Sequence, residues 1–227
     1  MPPAVLVFDV NETLIDIDSI APLFGELFGD ERVLREWFNQ LVMYSMTATL
    51  SEHYVDFFTL GQGVLHMLAD VHGVRLTDDD VLRLRTAMRT MPAHPDVAPA
   101  LTDLRANGFR LATLTNSPHI DSGPTPLEHA GLAGFFEQQL TVDSCRAFKP
   151  APAVYRYVCR VMEVQPADCM MVAAHVWDLL GAHNVGFSSA LITRPGNPPL
   201  PVDGLPQPTL VANDLGELAA QLTKAPR

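Results

Sequence analysis

Ala4-Val5-Leu6-Val7-Phe8-Asp9-Val10-Asn11-Glu12-Thr13-Leu14 is the stretch on which the fold turns. Its first five residues are apolar without alternation, the pattern of a strand covered on both faces in a parallel sheet. The run stops at Asp9, so a carboxylate stands at the strand's carboxyl end. Similar runs recur at 109–114 (FRLATL), 139–142 (QLTV), 169–173 (CMMVA) and 189–193 (SALIT), with a weaker one at 209–212.

Helical patterns separate these runs. Residues 96–107 place Val97, Leu101 and Leu104 on one face and stop at Gly108. Residues 152–162 do the same with Val154, Val158 and Met162, and 214–222 form an amphipathic end with Asn213 or Asp214 as its cap. Strands alternating with helices predict an α/β fold, a doubly wound parallel sheet.

One segment breaks the alternation. Residues 16–91 read as helices at 20–27, 32–44, 54–71 and 78–91 with no strand, and Pro92-Ala93-His94-Pro95 marks the return to the sheet. The expected organisation is a core of residues 1–15 and 93–227 with an inserted helical cap domain of residues 16–92. The Pro-rich stretch 194–208 reads as a surface loop, and no internal repeat is present.

The 227 residues, 48% hydrophobic and 18% charged, suit one large domain or one domain carrying an insertion. A net charge of −11 repels phosphodiester backbones and anionic lipid, which argues against nucleic-acid and membrane partners. An anionic substrate then has to be met by local positive groups. Cys145, Cys159 and Cys169 are odd in number and form no CxxC, as expected of reduced thiols. No run approaches the roughly 20 apolar residues of a membrane span, and no signal-peptide pattern opens the chain, so the cytoplasm is the expected location.

Four polar clusters fall where strands end, the edge at which open α/β sheets bind ligands. At the first, Asp9 is held rigidly and partly desolvated, as a nucleophilic carboxylate needs, and Thr13 returns a hydroxyl to orient it. At the second, Thr115-Asn116-Ser117 offers hydroxyls, an amide and backbone N–H groups to an anion, although turn chemistry asks for the same residues. At the third, Lys149-Pro150 brings a cation that neutralises a carboxylate and stabilises developing charge; taken alone, it reads sooner as a solvated lysine. The fourth is Ala173-Ala174-His175-Val176-Trp177-Asp178. Here Asp178 pairs with the lysine or holds a water, His175 binds substrate or acts as a base, and Trp177 packs or lines the site.

Taken in order, strand-end Asp, strand-end Thr-Asn, Lys-Pro and strand-end Asp resemble the haloacid dehalogenase superfamily, and more closely its type II 2-haloacid dehalogenases, over nearly the whole chain. The resemblance implies a Rossmann-like core with a helical cap. It places Asp9 on the nucleophile, Thr13 on its supporting threonine and Asn116 on the asparagine of the Ser-Asn pair. It also matches the helix end 128–132, Lys149-Pro150, the downstream Tyr155, Trp177-Asp178 and Gly181-Ala182. The departures are specific. Asn11-Glu12 stands for Tyr-Gly, Thr115 for serine, and Ala173-Ala174-His175 for Ser-Ser-Asn. Phe38 stands where the group carries the cap arginine that receives the halide, with Arg35 a turn earlier.

The resemblance implies hydrolytic dehalogenation of short 2-haloalkanoic acids through an ester on Asp9. Asp178 and His175 would position the water, Lys149 would balance Asp9, and no cofactor or metal would be required. Asn11, Phe38, Asn39, Thr115, Asn116, Tyr155 and Trp177 would contact the small anionic substrate, with Asn39, Val42, Met43 and Phe57 as its cap wall. A homodimer is a further possibility, since relatives of this kind often pair. Two other readings stand beside it. In a superfamily phosphatase, Mg would be held by Asp9, the Asn11 carbonyl and Asp178; but Asn11 replaces the carboxylic acid that protonates a leaving alcohol, a role worth about 10²–10⁴-fold. In a non-catalytic relative, the cleft would bind a ligand only.

Overall fold

A computed structural model describes residues 3–120 and 122–224 of the chain, so the ends of the expected core and position 121 lie outside the described residues. Six strands, β1 (Val5–Phe8), β2 (Arg110–Thr115), β3 (Gln138–Thr141), β4 (Cys169–Ala173), β5 (Ser188–Ile192) and β6 (Leu210–Ala212), form one sheet. Its order is β3-β2-β1-β4-β5-β6, and every pairing is parallel. All side chains of β1 and β4 are buried, which is why these runs carry no polar alternation. The strand order reverses between β1 and β4, so their carboxyl ends open the crevice in which ligands sit in such sheets.

Helices α5 (Val97–Ala106), α7 (Pro152–Met162), α8 (Val176–His183) and α9 (Leu215–Lys224) flank the sheet, and a short α6 (Pro126–His129) precedes β3. Between β1 and α5 lie α1 (Ala21–Phe28), α2 (Val33–Leu50), α3 (Phe57–His72) and α4 (Asp78–Arg89), with no strand among them. Their buried faces hold Phe24, Trp37, Leu41 and Leu65, and the Trp37 indole N–H donates to the Gly61 carbonyl at 2.9 Å.

Helix boundaries differ from expectation where side-chain hydroxyls or carboxylates intervene. Helix α2 runs six residues past the predicted end at Tyr44; the Thr47 and Thr49 hydroxyls donate to the Met43 and Ser45 carbonyls four residues back, so they are satisfied within the helix. Helix α3 starts at Phe57 rather than Tyr54, because Asp56 accepts from the Phe58 and Thr59 amides, each at 3.0 Å. Asp214, not Asn213, caps α9 by accepting from Glu217 N at 2.7 Å. The three cysteines are free thiols. Among the described residues no helix is long and apolar enough to cross a membrane.

Candidate active site

The loop after β1 carries Asp9, only 5% exposed. Thr13 Oγ1 donates to Asp9 Oδ2 at 2.7 Å and accepts from Ala174 N at 2.9 Å, which ties the β1 loop to the β4 loop. Lys149 Nζ donates to Asp9 Oδ1 at 2.8 Å and to Asp178 Oδ2 at 2.7 Å. The Tyr155 hydroxyl donates to Asp178 Oδ1 at 2.6 Å. Asn116 Oδ1 accepts from Lys149 N at 3.0 Å, holding the lysine's backbone in place.

Burial pushes the Asp9 carboxyl up, but the Lys149 ammonium and His175 outweigh it and hold the group well below the ordinary carboxylate range. For Asp178 burial prevails, reinforced by the charge of Asp9, and its carboxyl is raised despite Lys149 and Tyr155. Burial works against the Lys149 ammonium, yet two adjacent carboxylates keep it charged and raise it. Burial and Asp178 together push the Tyr155 phenol well up. One cation thus bridges two carboxyl groups that are shifted in opposite directions, Asp9 lowered and Asp178 raised.

His175 stands on the other side of Asp9. Its Nε2 lies 2.5 Å from Glu12 Oε2, and its Nδ1 lies 3.5 Å from Asp9 Oδ2. The Trp177 ring stacks on the imidazole at 5.0 Å and the Phe38 ring packs at 5.8 Å. Glu12 also pairs with Arg35, which donates to Asp18 Oδ1 at 2.8 Å. Glu12, Arg35, Phe38, His175 and Trp177 border a cleft of about 590 Å³, whose lining also includes Asn39 and Val42 but not Asp9 itself.

The structure thus brings Asp9, Thr13, Lys149, Asp178 and His175 together, with Phe38, Asn39 and Trp177 on the cleft wall. Other expected contacts sit elsewhere. Tyr155 is fully buried behind Asp178 and does not face the cleft, because its hydroxyl is used on that carboxylate. Asn11 Nδ2 donates to Ser117 Oγ at 3.2 Å, and Thr115 lines a separate cavity beside β2 and β3. Of the proposed cap wall, Met43 is 47% exposed and absent from the cleft lining. Phe57 is buried against Phe148 at 5.8 Å as packing. Arg35 reaches the cleft rim already paired, not as a free cation.

Two groups carry contacts to which the sequence gives no role. Glu12 reads there as a turn residue and, with Asn11, as a departure from the family's Tyr-Gly; its signal is a carboxylate three positions after the strand-end Asp9. Arg194, in the Pro-rich stretch, donates to the Thr13 carbonyl at 3.0 Å and to both Asp96 oxygens at 2.8 and 2.9 Å, so it clamps the Thr13 loop from behind. Nothing local in the sequence marks it, since its partners lie about a hundred residues or more away.

The residues do not fit a divalent cation bridging Asp9 and Asp178. The Lys149 ammonium joins the two carboxylates, and both Asp178 oxygens are occupied by Lys149 and Tyr155. Among the described residues no group of three or more His, Cys, Asp or Glu side chains is arranged to hold a metal ion.

The family model for haloacid dehalogenase-like hydrolases matches residues 3–186. An (S)-2-haloacid dehalogenase 4A of Burkholderia cepacia is 30% identical over 195 residues, covering 85% of this chain and 84% of its own. The structure of an L-2-haloacid dehalogenase from Xanthobacter autotrophicus superposes with a TM-score of 0.87 at 25% identity, over 99% of this chain and 100% of that one. A further L-2-haloacid dehalogenase structure superposes with a TM-score of 0.89 at 29% identity, over 99% and 100% of the two chains. With its strand-end aspartate, bridging lysine and helical insertion in the family's order, the chain belongs to the haloacid dehalogenase-like hydrolases.

Proposed function

We propose that this hydrolase removes halide from short 2-haloalkanoic acids by forming an ester on Asp9, with no metal taking part. The observation that carries the reading is the Asp9 carboxylate itself. It is buried, kept anionic and fixed at both oxygens by Thr13 and Lys149. A partly desolvated, oriented carboxylate is a competent nucleophile toward carbon. An Asp9 oxygen attacks C2 in line, the C2–oxygen bond forms, and the C2–halogen bond breaks with its electron pair leaving on the halide. Water then cleaves the ester, restoring Asp9 and releasing a 2-hydroxy acid.

In this reading the helical segment 16–92 serves as the cap. Phe38, Val42 and Trp177 provide the apolar wall around the alkyl group, and Arg35 is the guanidinium at the cleft. The phosphatase reading is weaker on two counts: Asn11 spends its amide on Ser117, and Lys149 stands between the carboxylates a metal would join. Halide release from a panel of short 2-haloacids in EDTA tests the proposal, with Asp9→Asn as control. Release that survives EDTA and falls by about 10⁴-fold or more in the variant supports it. Phosphate release from phosphoesters, dependent on Mg and without halide release, would overturn it.

A further inference from the structure

Three departures from the family pattern, at Glu12, Phe38 and His175, form a single cluster in space. Glu12 Oε2 lies 2.5 Å from His175 Nε2, and the Phe38 ring packs on the imidazole. His175 Nδ1 is buried, has no hydrogen-bond partner among the described residues, and stands 3.5 Å from Asp9 Oδ2. A buried polar atom without a partner is costly in a native structure and calls for an explanation. Glu12 adds a second cost, since its φ of 64° is left-handed backbone that a residue with a side chain rarely adopts. Both costs are explained if the pair acts on the Asp9 carboxyl group.

Asp178 is poorly placed for the same task. Both its oxygens are engaged, one by the Lys149 ammonium and one by the Tyr155 hydroxyl, which leaves neither to take a proton from water. His175 borders the cleft, with one nitrogen fixed by a carboxylate and the other turned to Asp9. That is the relation of a general base to its orienting group.

Resting on the aspartyl-ester reading, we propose that His175 is the base that activates the water for cleavage of the Asp9 ester, and that Glu12 is its positioning residue. Once Asp9 is esterified and has lost its charge, Glu12 accepts the Nε2 proton and the Nδ1 lone pair is left toward the ester. Nδ1 takes a proton from the water as its oxygen bonds to Asp9 Cγ. When the tetrahedral intermediate collapses, the Cγ–ester oxygen bond breaks and the departing alkoxide takes that proton from Nδ1. The product is the 2-hydroxy acid. The water's second proton leaves the new Asp9 carboxyl group for solvent.

The test separates alkylation from ester cleavage. His175→Ala and, in parallel, His175→Gln, which keeps a polar side chain between Phe38 and Trp177, are mixed with (S)-2-chloropropionate. Chloride release and the mass of the Asp9 peptide are followed. The expected result is a burst of about one chloride per enzyme, accumulation of the carboxyalkyl ester on Asp9, and ester cleavage slowed by about 10²–10⁴-fold. Added imidazole restores turnover to the alanine variant. Glu12→Gln accumulates the same ester with a smaller slowing, a signature that a merely structural role would not produce. Slowed chloride release without ester accumulation in the folded variant would overturn the proposal and make His175 a substrate or halide contact. Unchanged turnover would overturn it too. Absence of chloride release from the unaltered enzyme would instead overturn the dehalogenase reading itself.

Discussion

On one side of Asp9, Lys149, Asp178 and Tyr155 form a closed set in which every polar atom is used. On the other, Glu12, His175, Phe38 and Arg35 border the cleft and leave His175 Nδ1 free of hydrogen bonds. The closed side is built to fix one charge state: a cation shared by two buried carboxylates, with Gly181 packed against Pro150 and Tyr155. The open side is built to act. The contrast teaches that saturated polar groups hold a nucleophile in place, whereas an unsatisfied one beside it marks where chemistry remains to be done.

The comparison breaks most visibly at Lys149. Lys149→Met leaves two buried carboxylates facing each other, and the expected cost is about 3–5 kcal/mol in denaturant unfolding, with dehalogenation lost. A cost below about 1 kcal/mol would show that Asp178 takes up a proton and relieves the pair unaided, as its raised carboxyl allows. Next in size is Gly181→Ala. A Cβ there would meet Pro150 Cβ and the Tyr155 hydroxyl at 2.6 Å and the Pro150 carbonyl at 2.7 Å. Overpacking of this kind costs about 1–3 kcal/mol, or about 2–4 °C in Tm per kcal/mol for a chain of this size. Lost activity should accompany it, since Pro150 carries Lys149.

The open side should tolerate more. Arg35 is 35% exposed in its side chain, so Arg35→Gln is expected to cost only about 0.2–1 kcal/mol in stability. The readout that sharpens the comparison is KM for the haloacid, which should rise if the guanidinium meets the substrate anion or the halide. The smallest effect expected is that of mild acid. Because Asp9 is held below its ordinary value of 3.8, single-turnover alkylation should stay flat as the pH falls to about 5, where the nucleophile is still ionised. Its contribution to stability is present above 3.8 and is lost as the pH falls through the depressed value. Lys149 has the opposite sense: its contribution is complete below 10.5 and is lost only as the pH rises through its raised value.

Most of the closed side was legible in the sequence. Uninterrupted apolar runs placed β1 and β4, and their ends placed Asp9 and Asp178, because burial on both faces leaves a plain signature. Lys149 and Thr13 followed from position and chemistry. Tyr155 was found in the chain but misplaced in space, since only packing shows which way a buried hydroxyl points. The open side was visible as separate departures at Glu12, Phe38 and His175. Their conjunction was not, because it joins three distant segments through a left-handed turn and two ring contacts. Arg194 lay beyond reach for the same reason, its partners being the Thr13 carbonyl and Asp96.

A single turnover in heavy-oxygen water, with enzyme in excess over (S)-2-chloropropionate, tests the central claim most directly. If Asp9 forms the ester and water attacks its Cγ, the first 2-hydroxy acid released carries unlabelled oxygen from Asp9, and the label is found in the Asp9 peptide. Label in the product with none in Asp9 would mean that water attacks the substrate carbon itself, and the account of Asp9 as nucleophile would fall.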